Sequence, residues 1–206
     1  MKQTLFLTFY ALLLPLSLIA SDPLESRIDR QDKRYNTFAM TMKMLTNRKA
    51  KVLVETGTAR FGDQNFAGDG GSTILFADWA FQNNALLYSV DIDENCLEVA
   101  SKATRAYEAN VIFTHSDSIE FLENFPEMID FLYLDSMDFN KKKPKRSQKH
   151  HLREIESVYD KLSPQCIVLI DDCNYSQDGK GKYVIRFLKK KGWRVVANSY
   201  QVIMVR

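Results

Sequence analysis

Cysteine is scarce in this chain, and the three present do not form a set. Cys96, Cys166 and Cys173 are odd in number and show no C-x-x-C spacing, which excludes a disulfide framework or a cysteine-built zinc site. An excess of one charge sign is missing too. The formal net charge is +2, and no basic stripe interleaved with aromatics runs through the chain, so nucleic acid is not an expected partner. There is no internal repeat and no low-complexity segment. No G-x-G-x-x-G lies between a strand and a helix, which removes the dinucleotide fingerprint, and the length leaves no room for a second, substrate-binding domain.

What is present is ordinary globular material: 206 residues, 45% hydrophobic and 26% charged, enough for one domain with a full core. The N-terminus is set apart. Lys2 precedes an apolar run, residues 5–20, broken by Thr8, Pro15 and Ser17 and ending in Leu18-Ile19-Ala20 before Ser21-Asp22. It reads as a secretory signal peptide with small Ala20 at the cleavage site, which implies export to a periplasmic or external space. The run falls short of the roughly 20 residues that span a bilayer comfortably. The alternative is an uncleaved anchor. Arg27, Arg30, Lys33 and Arg34 outnumber Lys2, and the positive-inside rule would then keep the domain in the cytoplasm. Residues 1–20 are therefore a leader or anchor, 21–49 an N-terminal helical segment and 50–206 the main domain.

Within that domain strands and helices alternate. Ile28, Tyr35, Phe38, Met42 and Leu45 have helical spacing over residues 23–47. Strands are expected at 51–54, 86–90, 110–114, 129–134 and 166–170. Helices are expected at 72–82, 93–109, 116–125, 148–162 and 182–191, with polar loops at 60–71 and 139–147. Residues 193–197 and 200–205 alternate across Asn198-Ser199 as a closing hairpin. This order predicts an α/β, doubly wound, mostly parallel seven-stranded sheet with a C-terminal antiparallel β-hairpin.

Acidic residues recur where the apolar runs end: Glu55, Asp91, Asp117, Asp135 and the pair Asp171-Asp172. In an open α/β sheet the ligand crevice lies at the carboxyl ends of the strands. A carboxylate there needs a hydroxyl, an amine or a metal as partner. One lone Asp is most simply a solvated loop residue; five strand ends in register are a site.

With Glu55-Thr56-Gly57-Thr58 after the first strand and Asp91-Ile92 after the second, the chain resembles the class I S-adenosylmethionine-dependent methyltransferases over about residues 50–206. It departs from their glycine-rich turn: Ala59-Arg60-Phe61-Gly62 follows directly, and the cluster Gly68-Asp69-Gly70-Gly71 arrives later. The resemblance implies S-adenosylmethionine as cofactor. Glu55, Thr56, Gly57 and Thr58 would meet its methionine end, Asp91 and Ile92 its ribose, and Asp117 and Ser118 its adenine. Asp117 is equally placed to cap the following helix.

Asp135, Asp171 and Asp172 end neighbouring strands and together suit a hard divalent cation such as Mg²⁺. That pattern is similar to metal-dependent O-methyltransferases, including those acting on sugar hydroxyls. It implies a small hydroxylated acceptor, sugar-like or catechol-like, with Asp135 catalytic. Asn174 is a weaker ligand. His150 and His151 open the helix after the fourth strand, and one of them, with a slight preference for His151, is a candidate general base. The basic loop 141–146 is most simply solvated. Residues 179–182 read as a connector or an anion-holding turn. Segments 21–47 and 60–71 are expected to form a lid. The competing function is a noncatalytic ligand-binding module on the same fold.

Overall fold

The computed structural model describes residues 24, 26–175 and 179–206; the expected leader or anchor lies outside them. In chain order the elements are α1 (Tyr35–Arg48), β1 (Val52–Thr56), α2 (Phe66–Asp69), α3 (Ser72–Asn83), β2 (Leu86–Asp91), α4 (Glu94–Ala103), β3 (Val111–His115), α5 (Ser118–Asn124), β4 (Ile129–Leu134), α6 (Pro144–Val158), β5 (Leu162–Ile170), α7 (Lys182–Lys190), β6 (Arg194–Asn198) and β7 (Val202–Val205). Single 3₁₀ stretches follow α4 and α6. Among the described residues, no helix is long and apolar enough to cross a membrane.

The strands form one seven-stranded sheet in the order β3-β2-β1-β4-β5-β7-β6. β1 pairs in parallel with β2 on one side and β4 on the other. The strand order therefore reverses at β1, and the crevice belongs beside its carboxyl end. β7 runs antiparallel to both β5 and β6, so the closing hairpin contributes the one reversed strand.

Both faces of the sheet are covered, as near-continuous apolar strands require. Side chains alternate along each strand. Leu53, Phe131, Tyr133 and Leu169 meet Phe38 and Leu45 of α1 and Leu75 and Phe76 of α3. Val54, Leu132, Leu134 and Val168 meet Leu122, Ile155, Val158 and Leu188 from α5, α6 and α7. Phe76 anchors the first layer, with ring centroids 5.7 Å from Phe38, 4.8 Å from Phe131 and 5.6 Å from Tyr133, all edge-on. Such pairs add about 0.5–1.5 kcal/mol each beyond their burial.

Several boundaries differ from the sequence reading, each for a local reason. The first helix starts at Tyr35, not near residue 23. Asp29 and Asp32 accept the N–H groups of Gln31 and Arg34 at 2.7 and 2.8 Å, and these Asx turns compete with helix. α1 packs on the sheet, and among the described residues before it Lys33 and Arg34 line the crevice. α6 begins at Pro144, a residue suited to the first helical turn, so the basic loop is partly helix. Ser163-Pro164 does not close that helix but lies within β5. The β4–β5 register shifts between Ile129 and Phe131, and a proline is tolerated at such an irregularity.

Candidate active site

Sheet pairing itself sets the strand ends side by side. The Asp135 N–H donates to Thr56 O at 3.0 Å, and the Asp171 N–H to Leu134 O at 3.2 Å. Gly57 follows β1 with φ +83°, and a Cβ there would stand 2.7 Å from Asp135 O. Glycine is therefore required by the conformation and by the closeness of β4. Its N–H donates to Val90 O at 2.9 Å. Asp91, ending β2, accepts the Thr58 N–H on one oxygen and the Asp93 N–H on the other, each at 2.9 Å. Each carboxylate oxygen keeps a free lone pair. Two backbone bonds thus aim an acceptor with spare capacity at the crevice.

Three cavities adjoin along the strand ends. One, about 280 Å³, lies between Ile92, Asp117, Ser118 and His150. A second, about 170 Å³, includes Thr58, Ser72 and Asp135. Gly57, Asp91 and Ser136 line both. The third, about 310 Å³, shares Asp135, Asp138, Arg60 and Asp69 with the second and adds Asp171, Asp172, Tyr175 and Tyr200. A larger cavity of about 610 Å³ lies against α7 and contains Lys182, Arg186 and Lys189. It touches none of the Gly57–Asp91–Asp135 row, so size does not mark the chemistry here.

The structure brings Gly57, Thr58, Asp91, Ile92, Asp117 and Ser118 to the first two cavities. Thr58 donates its N–H to Asp91, and its hydroxyl lies 3.2 Å from that of Thr73. Ile92 is 71% exposed at the rim. Asp117 caps α5, accepting the Ile119 N–H at 2.9 Å. Ser118 Oγ lies 3.1 Å from His150 Nε2. Two residues of the same expectation are elsewhere. Thr56 is buried within β1, its hydroxyl toward Tyr133 O. Glu55 is one residue inside the strand and shares the side of Leu53, so it faces α3 rather than the crevice. Its carboxylate accepts the hydroxyls of Ser72, Thr73 (2.7 Å) and Ser89 (2.9 Å). Burial pushes its pKa up to about 7, against those three hydrogen bonds. Glu55 ties β1 to β2 and α3, and only Ser72 connects it to the cavity.

His151 is not a crevice residue. It is fully buried on α6, with Nδ1 2.7 Å from Ser147 O, and burial pulls its pKa down to about 4. Its neighbour His150 is the one that faces a cavity, on the side of Asp117 and not of Asp135. Glu154 orders this corner, accepting Ser136 Oγ–H at 2.7 Å. His115 is exposed, with its ring 3.0 Å from Ile92 O.

Asp135, Asp171 and Asp172 do converge: one oxygen from each lies within 4.8 Å of the others. The surroundings were not foreseen. Lys180 bonds Asp135 Oδ1 and lies 3.1 Å from Asp172 Oδ2. Arg34 donates Nη2 to Asp171 Oδ2 at 2.9 Å and Nε to Oδ1 at 3.2 Å, and Gln201 adds a bond to Oδ1 at 2.8 Å. The Tyr200 hydroxyl donates to Asp172 Oδ1. Burial works against an ammonium, yet the three carboxylates hold the Lys180 amine above the ordinary lysine range. As arranged, the residues do not fit a divalent cation, because the Lys180 ammonium already lies between Asp135 and Asp172 and the Arg34 guanidinium already pairs with Asp171. Asn174 is exposed and does not line the cavity beside these carboxylates. Lys180 and Arg34 were the missed residues. The inward glycine turn at 179–182 and the unusual Arg just before a core helix were the available signals.

The free acceptor capacity of Asp91 and the cradle at Gly57 suit a ribose and a closely approaching ligand chain. Comparison agrees. A methyltransferase-domain family profile matches residues 67–173. Among solved structures, the O-methyltransferase NovP superposes with a TM-score of 0.60 at 17% identity, over 84% of this chain and 79% of NovP. The SAH-bound methyltransferase PaMTH1 of Podospora anserina gives 0.58 at 12% identity, over 82% and 77%. CalS11, a TDP-rhamnose 3′-O-methyltransferase of calicheamicin biosynthesis, gives 0.58 at 14% identity, over 84% and 80%. No curated protein sequence matches the chain. Fold, switch-point site and family profile coincide, and the chain belongs to the class I S-adenosylmethionine-dependent methyltransferases.

Proposed function

We propose that this protein transfers the methyl group of S-adenosylmethionine to a hydroxyl oxygen of a small acceptor. The observation that carries the reading is the row of three adjoining cavities, with Asp91 in the first two and Asp135 in the last two. Asp91 would hold the ribose hydroxyls, and the cavity beside Asp117, Ser118 and His150 would take the base. The bound cofactor supplies an electrophilic methyl on a sulfonium. The chain supplies placement, because in-line approach of the acceptor oxygen lowers such a barrier more than further acid–base chemistry does.

The third cavity is the acceptor chamber in this reading. Phe61, Tyr175 and Tyr200 offer apolar faces there, and Asp135 and Asp138 offer acceptors for hydroxyl protons. This mixture suits a sugar-like or catechol-like polyol better than an apolar chain. Asp135 Oδ2, whose one hydrogen bond is a 3.4 Å contact from Tyr133, is the group turned to take the acceptor's proton as oxygen–carbon bonding develops. Mg²⁺ has no step in this reading, since Lys180 and Arg34 stand against its ligands.

The test is calorimetry with S-adenosylmethionine on the full chain and on Asp91→Ala, followed by a screen of hydroxylated acceptors. Micromolar binding lost in the variant, with turnover lost in Asp135→Ala, is expected. Binding without turnover for any acceptor favours a noncatalytic module. No binding ends the proposal. Export through residues 1–20 is proposed on sequence grounds, and a reporter fused to that segment checks it.

A further inference from the structure

The acidic cluster at the ends of β4 and β5 has the composition of a metal site and the wiring of something else. Three carboxylates meet two buried cations, Lys180 and Arg34, which leaves one net negative charge. Lys180 is fully buried. Nor is it a surface side chain that has drifted inward. Its own N–H donates to Asp172 O at 3.0 Å. Gly179, just before it, has φ +51°, and a Cβ there would lie 1.9 Å from Asp172 O. The Gly179 carbonyl accepts Gln148 Nε2–H at 2.9 Å. The backbone on both sides of the β5 turn is therefore committed to delivering this lysine. For an ion to enter, a buried ammonium would have to leave two carboxylates. Removing one partner from such a pair leaves an uncompensated buried charge.

We infer that Lys180 is this enzyme's built-in cation: it occupies the position between Asp135 and Asp172 where a divalent metal would sit, and the centre takes no metal. Arg34 completes the arrangement by claiming Asp171. Lys180 then acts as a positioning residue. By holding Asp135 Oδ1 it leaves Oδ2 toward the acceptor chamber. Only this last consequence rests on the methyl-transfer reading; exclusion of the metal does not.

Titration of the full chain with Mn²⁺ alone, followed by electron paramagnetic resonance, tests the inference. Wild type is expected to show no saturable site up to about 1 mM, the weak end of biological divalent sites. Lys180→Ala is expected to gain one and to bind Mn²⁺ at least tenfold more tightly, and a further Asp172→Asn change should abolish it. Lys180→Met, which keeps the buried stem without the charge, replaces the alanine variant if that one does not fold. S-adenosylmethionine affinity on the same samples reports folding and should not respond to a chelator. A saturable Mn²⁺ site in wild type that Asp172→Asn removes would overturn the inference. So would failure of both folded Lys180 variants to gain Mn²⁺. Loss of S-adenosylmethionine binding in wild type would end the functional reading and leave the Mn²⁺ result standing.

Discussion

Glu55 shows how one residue of strand length changes a role. Because β1 continues through Thr56, Glu55 turns into the α3 layer and becomes a buried acid among three hydroxyls. Its folded pKa of about 7 exceeds its ordinary value of 4.5. Between those values the folded state keeps a proton that the unfolded chain has lost, so stability falls as pH rises from about 4.5 to about 7 and is flat beyond. The loss is on the order of 3 kcal/mol for a shift of that size. Urea denaturation across this range should show wild type losing stability relative to Glu55→Gln as pH rises; the difference isolates Glu55 from His151, whose lowered pKa acts in the opposite sense. Gly57 is a sharper case, since both its positive φ and the nearby Asp135 carbonyl oppose any side chain. Gly57→Ala should cost about 1–3 kcal/mol and weaken the cofactor, read by thermal melting and calorimetry. The two histidines separate by burial. His151→Ala should destabilise the core by roughly 2–4 kcal/mol, the scale of cavity-forming changes, while His150→Ala should act mainly on cofactor affinity.

At the scale of elements, the strands were legible because a parallel sheet covered on both faces demands continuous apolar runs. β4 matches its expected limits, residues 129–134. Helix ends were less legible, because they depend on caps and turns that compete locally. The Asx turns before α1, and α6 beginning at Pro144 rather than after it, are the cases in point. Asp117 was readable as a cap or as a ligand contact; the structure shows the cap and also sets it at a cavity wall. Asp117→Ala should therefore lower stability by about 1 kcal/mol, measured by urea denaturation. Asp117→Asn should restore the cap, and any remaining loss of cofactor affinity in it would belong to direct contact.

At the scale of the whole molecule, the candidate site is held together by contacts distant in sequence. Arg34 stands before α1, yet its guanidinium closes on Asp171 at the end of β5, with both side chains buried. Arg34→Ala strands a buried carboxylate, and a loss of about 3–5 kcal/mol is expected by denaturant titration. Asp171→Asn in that background should recover part of it, because the orphaned charge is then gone. The N-terminal segment, foreseen as a lid, contributes to the core, and its Lys33 and Arg34 line the cavity beside Asp135.

By itself the sequence determined the alternation of strands and helices, the reversed closing strand and the row of acidic strand ends. These follow from local patterns: apolar runs, turn residues and their spacing. Tertiary structure alone decided which acids face the crevice and what they meet there. Side-chain direction depends on where a strand stops, and a carboxylate's chemistry depends on its partners. Here those partners, Lys180 from the turn before α7 and Arg34 from the segment before α1, reach Asp135, Asp171 and Asp172 only once the sheet has paired. From sequence alone three aspartates at strand ends read as a metal site; the fold also sets two buried cations among them.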